Sequence, residues 1–280
     1  MYPFYNKKEV PKKVVDKIKW VEKAPLVSVI IPTLPNRKKL LARAIESVLN
    51  QTYPNIEIIV EEGGRNVQDA RNIAVARSHG KYIALLDDDD EFFPTKIEKQ
   101  VMTMEADEEI AMCLCWGEDE RFGLEDGKVI KPKPWWTFKE LVDGFNICTT
   151  SAFLVRRSSF DAVGGMDDTL QDSHEYDLAI KLSCIGKVYC YPESLCIFHQ
   201  CEDNWSDCWD KKFMGMIQFM AKWGHAFDFT RWRNTFICLT LFGVAYFTPF
   251  LKPHPVHKIF NMTKDRRERL DMEAGEYDES

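Results

Sequence analysis

An apolar stretch runs straight into an acidic one: Tyr82-Ile83-Ala84-Leu85-Leu86 is followed at once by Asp87-Asp88-Asp89-Asp90. The first part is short, apolar and preceded by Gly80, the pattern of a buried strand. Four carboxylates then stand where that strand should leave its sheet. Crowded carboxylates repel and raise one another's pKa unless a cation sits among them. Hard oxygens at this density suit Mg²⁺ or Mn²⁺, bound through one or two carboxylates plus substrate phosphates. Strand carboxyl ends are also where open α/β sheets bind ligands. The alternative for such a run, taken alone, is a solvated acidic loop.

The sequence around it has the rhythm of an α/β sheet. Val27 to Pro32 forms a strand stopped by proline, and 38–50 a helix with an apolar stripe of Leu41, Ile45, Val48 and Leu49. A second strand spans 56–60 and is closed by Gly63-Gly64. A helix over 67–78 follows, with Gly80 at a C-cap position. The strand over 82–86 and a helix from Pro94 to Met104 complete a β-α-β-α-β alternation, which implies a parallel sheet with helices on both faces. Further on, strands are expected over 110–115 and 149–155, a turn at Gly164-Gly165-Met166-Asp167, a helix over 174–184, and two short edge strands over 188–191 and 195–198.

The net charge of −7 argues against a nucleic-acid partner. Residues 1–24 nonetheless hold seven lysines against three acids. No apolar signal-peptide core is visible, and the nine cysteines, an odd number, fit a reducing compartment. Cys196-x-x-His199-x-Cys201-x6-Cys208 matches no common zinc spacing. Past residue 203, Trp205, Trp209, Phe213, Met216, Met220 and Trp223 recur at helical steps as one apolar face. The run 235–251 is apolar, nearly uncharged and flanked by basic residues, but contains Gly243 and Pro249. It falls short of the ~20 residues of a spanning helix. A short or interfacial membrane helix and a buried core helix are both open for it, so the expected location is the cytoplasm or the cytoplasmic face of a membrane.

Five stretches in order resemble the family-2 glycosyltransferases of the GT-A fold. They are Val29-Ile30-Ile31-Pro32-Thr33 through Asn36-Arg37; Ala44 to Pro54; Ala70-Arg71-Asn72-Ile73-Ala74 with Gly80 to Ala84; Leu86-Asp87-Asp88-Asp89-Asp90; and Gly164-Gly165-Met166-Asp167 with Glu175-Tyr176-Asp177-Leu178. The resemblance implies an α/β GT-A fold, with a Rossmann-like, mostly parallel sheet and helices on both faces. It divides the chain into a basic segment (1–25), a catalytic domain (26–204), an apolar helical extension (205–262) and a charged tail (263–280). It also implies transfer of a sugar, with inversion, from a nucleotide-diphosphate donor to a glycan or lipid-linked acceptor. The donor nucleotide is UDP, GDP or dTDP, UDP being the most frequent in the family, and the cofactor is Mn²⁺ or Mg²⁺. The runners-up are a non-catalytic nucleotide-sugar-binding protein of the same fold and a nucleotidyltransferase. The second would favour a glycine-rich loop after the first strand, where this chain has Thr33-Leu34-Pro35-Asn36-Arg37.

By the same resemblance, Asp89 is the direct metal ligand, with His199 completing the metal site or touching phosphate. Asp87 faces the ribose or diphosphate and is held by Arg71; Asp88 fills the variable slot, and Asp90 caps the next helix. Pro32 and Thr33 flank the nucleobase, and Arg37 belongs to the same donor site. Two positions depart from the family pattern. Glu62, with Glu61 as the alternative, stands where an aspartate contacts the base. Glu175 stands at the catalytic aspartate of the Glu-Asp pair, in the tract His174-Glu175-Tyr176-Asp177, and is the expected general base. His174 either assists it or simply packs, and Asp177 is structural.

Overall fold

Strand β1 (Val27–Pro32) is buried along its whole length, as a strand covered on both faces must be. The chain is described as a computed structural model over residues 24–120, 128–143, 149–199 and 209–227. β1 lies between β2 (Ile56–Glu61) and β3 (Tyr82–Leu85), parallel to both. The crossovers are α1 (Lys38–Leu49) and α2 (Val67–Arg77). All three strands therefore point their carboxyl ends the same way, and the acidic run leaves the sheet beside Pro32 and Glu61.

The rest of the sheet is mixed. β4 is Glu91–Phe92, β5 Ile110–Asp119, β6 Lys128–Ile130, β7 Trp135–Trp136, β8 Leu154–Arg156 and β9 Lys187–Phe198. The order is β2-β1-β3-β8-β5-β9-β4, with β6 on β5 and β7 on β9. β8 runs antiparallel to both β3 and β5, while β5 and β9 are parallel. Of the mostly parallel sheet expected from the sequence, β2, β1, β3, β5 and β9 run one way, and β8 and β4 are the reversed strands on the same path. The remaining described helices of this unit are α3 (Lys96–Ala106), α4 (Phe138–Asp143), α5 (Arg157–Ala162) and α6 (His174–Ser183).

Several elements differ from their sequence reading for physical reasons. The two edge strands expected near the end are one interior strand, β9. Its register against β5 jumps from Cys115↔Tyr191 to Trp116↔Ser194, and the exposed Pro192 and Glu193 form the excursion. A proline is tolerated at such a bulge because no ladder N–H is needed there. The strand expected from 149 is a 3-10 turn (Thr150–Ala152) ahead of β8. Gly80 is not a C-cap, since α2 ends at Arg77 and is followed by Ser78. Gly80 instead lets the chain touch β1: a Cβ there would lie 2.5 Å from Ser28 Oγ. In α1 the buried residues are Ala44, Ser47 and Val48, while Leu49, expected in the stripe, is 72% exposed.

The chain divides into two compact units, one of 1–169 with 174–204, the other of 170–173 with 205–280. The second contains α7 (Trp209–Trp223), which over 212–223 buries Gly215 and Phe219. The expected face members Phe213, Met216, Met220 and Trp223 are only half-buried. Gly215 packs against Asp172, where a Cβ would lie 2.4 Å from the aspartate's own Cβ. Trp205, the 235–251 run, the tail and most of the lysine-rich segment lie outside the described residues. Among the described residues no helix is long and apolar enough to cross a membrane.

Candidate active site

Four aspartates leave β3 in a tight turn, with the Asp90 N–H donating to the Asp87 carbonyl (3.1 Å). Their side chains part into two sets. Asp88 and Asp90 turn inward, 2% and 5% exposed, while Asp87 and Asp89 reach the surface at 30% and 18%. Crowding is relieved by arginines. Arg37 pairs with Asp88 Oδ1 (2.8 Å) and Asp89 Oδ2 (2.7 Å). Arg71 pairs with Asp87, and Arg43 donates to the Asp89 carbonyl (2.5 Å) and approaches Glu91 (3.3 Å). Guanidinium groups thus already stand among these carboxylates.

The inward pair anchors the turn. Asp88 accepts from Thr33 Oγ1 (2.6 Å), tying the acidic run to the end of β1. Burial pushes the Asp88 carboxyl up, against the pull of Thr33 and Arg37. As placed, Asp88 holds Thr33 and Arg37 and offers no oxygen outward to a donor. Asp90 accepts from Ser151 Oγ (2.5 Å), and the same hydroxyl receives the Asp87 N–H (3.1 Å). Burial raises the Asp90 carboxyl well above its ordinary value, and the charges of Asp87 and Asp89 add to it. It caps no helix: α3 begins at Lys96, after Thr95.

Arg71 is supplied by α2, whose start is fixed by Asn66 accepting from the Asp69 N–H (2.9 Å). Such a cap contributes about 1 kcal/mol. One turn further, Gln68 and Arg71 lie on the buried face, 3% and 2% exposed. Next to Arg71, the Asn72 side chain donates to the Met166 carbonyl (2.8 Å) and accepts the Met166 N–H (3.0 Å). That pairing holds the Gly164-Gly165-Met166 turn, in which both glycines have positive φ.

At the end of β2, Glu61 is buried and engaged by the Gly63 N–H (2.7 Å) and by Arg77. Glu62 is exposed. Of the two candidates for base contact, Glu61 serves the loop and Glu62 faces outward. Pro32 and Thr33 sit beside them, the Thr33 N–H donating to the Glu61 carbonyl (2.9 Å).

Glu175 lies in the first turn of α6. Burial raises its carboxyl. Its own backbone N–H and Arg71 pull it down, and Asp87 pushes it up. Arg71 and Asp87 therefore act electrostatically on Glu175 as well as on each other. The Glu175 Oε2 atom is buried and has no hydrogen-bond partner among the described residues. Asp177 is fully buried and paired with Lys181 (3.3 Å).

His199 departs from its expected role. Its ring nitrogens face Glu120 Oε2 (2.7 Å) and Glu91 Oε1 (2.8 Å), so neither is available to a metal in this arrangement. It meets the acidic run through its backbone N–H, which donates to Asp90. Of the cysteines near it, Cys196 is a buried thiol 3.7 Å from Cys115 Sγ, and Cys201 and Cys208 lie outside the described residues.

Sequence reasoning did not identify Ser151, Arg43 or Gln68. Thr149-Thr150-Ser151, a hydroxyl run opening an otherwise apolar tract, was the available signal for the first. For Gln68, the signal was a polar residue one turn before Arg71 on the same helix face.

Comparison with known proteins bears on this geometry. The sequence model of glycosyl transferase family 2 matches residues 28–64 and 60–164, which span β1 to the Gly-Gly turn. The chain belongs to that family. An uncharacterized glycosyltransferase of Rickettsia prowazekii (strain Madrid E) is 27% identical to this family-2 member over 204 residues, covering 59% of this chain and 61% of its own. The family-2 chain thus spans about three fifths of that curated relative's length. Its fold is also that of S. aureus TarS 1–349 in complex with UDP-GlcNAc (TM-score 0.54, 11% identity, 69% of this chain and 66% of that one). A mannosyltransferase from Pyrobaculum calidifontis in complex with GDP-Man and Mn²⁺ is similar too (TM-score 0.53, 15% identity, 75% and 70%).

Proposed function

We propose that the chain transfers a sugar from a nucleotide-diphosphate donor to an acceptor hydroxyl, with inversion, using Glu175 as general base. The observation that carries this reading is Glu175 itself. It is a buried carboxylate with an unpartnered oxygen, under the electrostatic influence of Arg71 and Asp87 at the acidic strand end. A binding protein needs no such base.

The acidic run fits a divalent ion. Asp87 and Asp89 are its outward carboxylates, and among the described residues no group of three His, Cys, Asp or Glu side chains forms a ready cage. Such a set suits a hard cation that completes its shell with water and phosphate oxygens. Mn²⁺ or Mg²⁺ held by Asp89 and Asp87 would neutralise charge building on the β-phosphate as it leaves. Arg71 and Arg37 keep those two carboxylates in place. Pro32, Thr33 and Glu62 border the nucleobase end of the donor site. The acceptor oxygen bonds to the anomeric carbon as the bond to the β-phosphate oxygen breaks. Glu175 takes the acceptor's proton. UDP is the first choice of nucleotide, and the acceptor is a glycan or lipid-linked hydroxyl.

The test is the melting temperature of the chain with UDP, GDP, CDP and dTDP, each with and without Mn²⁺. A ligand that binds only the folded state raises it by mass action. A shift with one nucleotide, only with metal and lost in Asp89→Ala, supports the reading. No shift with any of them up to millimolar concentration counts against donor binding.

A further inference from the structure

Glu175 needs something to hold it, since a buried carboxylate oxygen without a donor is costly. Two buried side chains stand behind it. Gln68 on α2 places its Nε2 2.6 Å from His174 Nδ1. An amide nitrogen only donates, so Nδ1 is the acceptor and the neutral ring carries its proton on Nε2. That second nitrogen faces the base, 3.5 Å from Glu175 Oε2. This is the oxygen that has no hydrogen-bond partner among the described residues. Contacts of this kind are often long in a resting enzyme and tighten when substrate docks.

We propose that His174, oriented by Gln68, is a positioning residue for Glu175: its Nε2–H steadies the carboxylate and favours its ionised form. The proposal rests on the reading of Glu175 as the general base. The groups acting on that carboxylate come from three elements. From α6 there are His174 and the backbone N–H of Glu175; from α2, Arg71; from the end of β3, Asp87. Arg71 favours the charge and Asp87 opposes it. His174 adds a directional donor without adding net charge, which leaves the balance of the neighbouring aspartates and arginines undisturbed.

Imidazole ¹⁵N and carboxyl ¹³C NMR on the full chain test this without substrate. The wild-type His174 is expected to hold its neutral-form proton on Nε2, and Gln68→Leu to release the ring into a tautomer mixture. The Glu175 midpoint is expected to rise by half a pH unit or more in His174→Phe. That is about a threefold loss of ionised form on the acid side. His174→Gln, whose amide can donate from the same place, should return the midpoint toward wild type. A proton on Nδ1 in the wild type, or an unmoved Glu175 midpoint in His174→Phe, overturns the proposal. Should His174→Phe fail to fold, the same upward shift is required of Gln68→Leu, and its absence overturns the proposal equally. With a donor that turns over, the acid limb of kcat must move with the NMR midpoint while KM stays. Turnover that survives Glu175→Gln would overturn the general-base reading, and the NMR midpoints would still report whether His174 acts on Glu175.

Discussion

The carboxylates at the end of β3 and the carboxylate at the start of α6 belong to one site and are treated in opposite ways. Asp87 and Asp89 are matched by Arg71 and Arg37, and Asp88 by Thr33 and Arg37. Glu175 has a buried oxygen with no donor in hydrogen-bond geometry and a carboxyl pushed up by burial. The first group is held in place by two guanidiniums and a hydroxyl. The second keeps an oxygen open, as the proposed role of proton acceptor requires. Environment separates the roles of chemically similar groups, as it does wherever paired carboxylates do different work.

The largest effect should come from removing the proton acceptor alone. Glu175→Gln is expected to lower kcat by about 10²–10⁴-fold, the usual worth of a general base. The nucleotide-induced melting shift should remain. The folded-state pKa is raised, so the contribution of Glu175 to stability is present below its unfolded value and lost as pH rises through the folded one. At neutral pH the amide should therefore melt a few degrees higher, not lower, which calorimetry checks. In the wild type, the same raised value puts the acid limb of the pH–rate profile above the ordinary glutamate value of 4.5.

The donor side breaks differently. Asp89→Ala should abolish the metal-dependent melting shift and cost about 100-fold or more in kcat/KM, since metal stabilisation of developing charge is worth several kcal/mol. Equal activity with and without chelator would contradict it. Arg71→Met strikes both carboxylates at once. It leaves Asp87 unmatched and removes a charge that favours ionised Glu175, so the acid limb should move upward. Stability should fall by about 1–3 kcal/mol, below the figure for a fully buried pair because Asp87 is part-exposed. The smallest effect belongs to Ser151→Ala, about 1 kcal/mol for a lost hydrogen bond, read as a melting drop with nucleotide binding retained.

The acidic strand end was legible in the sequence because it is local. A strand, its acidic end and the following helix are contiguous, and the unbroken apolar runs of β1 and β3 state their burial directly. Arg71 was tied to Asp87 by its place in a recognisable stretch. What the sequence hid is non-local. Ser151 reaches Asp90 across 61 positions, and Gln68 reaches His174 across 106. Neither separation leaves a periodic trace. β9 was split in two because Pro192-Glu193-Ser194 has turn chemistry, and only the register against β5 turns it into a bulge. His199 was assigned by family position, whereas Glu91 and Glu120, which occupy its ring, come from two other strand ends.

The amide of Asn72 and the missing side chain of Gly165 form one unit of inheritance. The amide must both give and take a hydrogen bond at Met166, and its oxygen would lie 2.7 Å from any Cβ at position 165, where φ is +70°. Aspartate cannot donate, and glutamine carries the amide a methylene too far. A side chain at 165 would evict the amide that keeps the turn in place. Neither position can drift by itself, so divergent copies of this chain should keep both residues or lose both together.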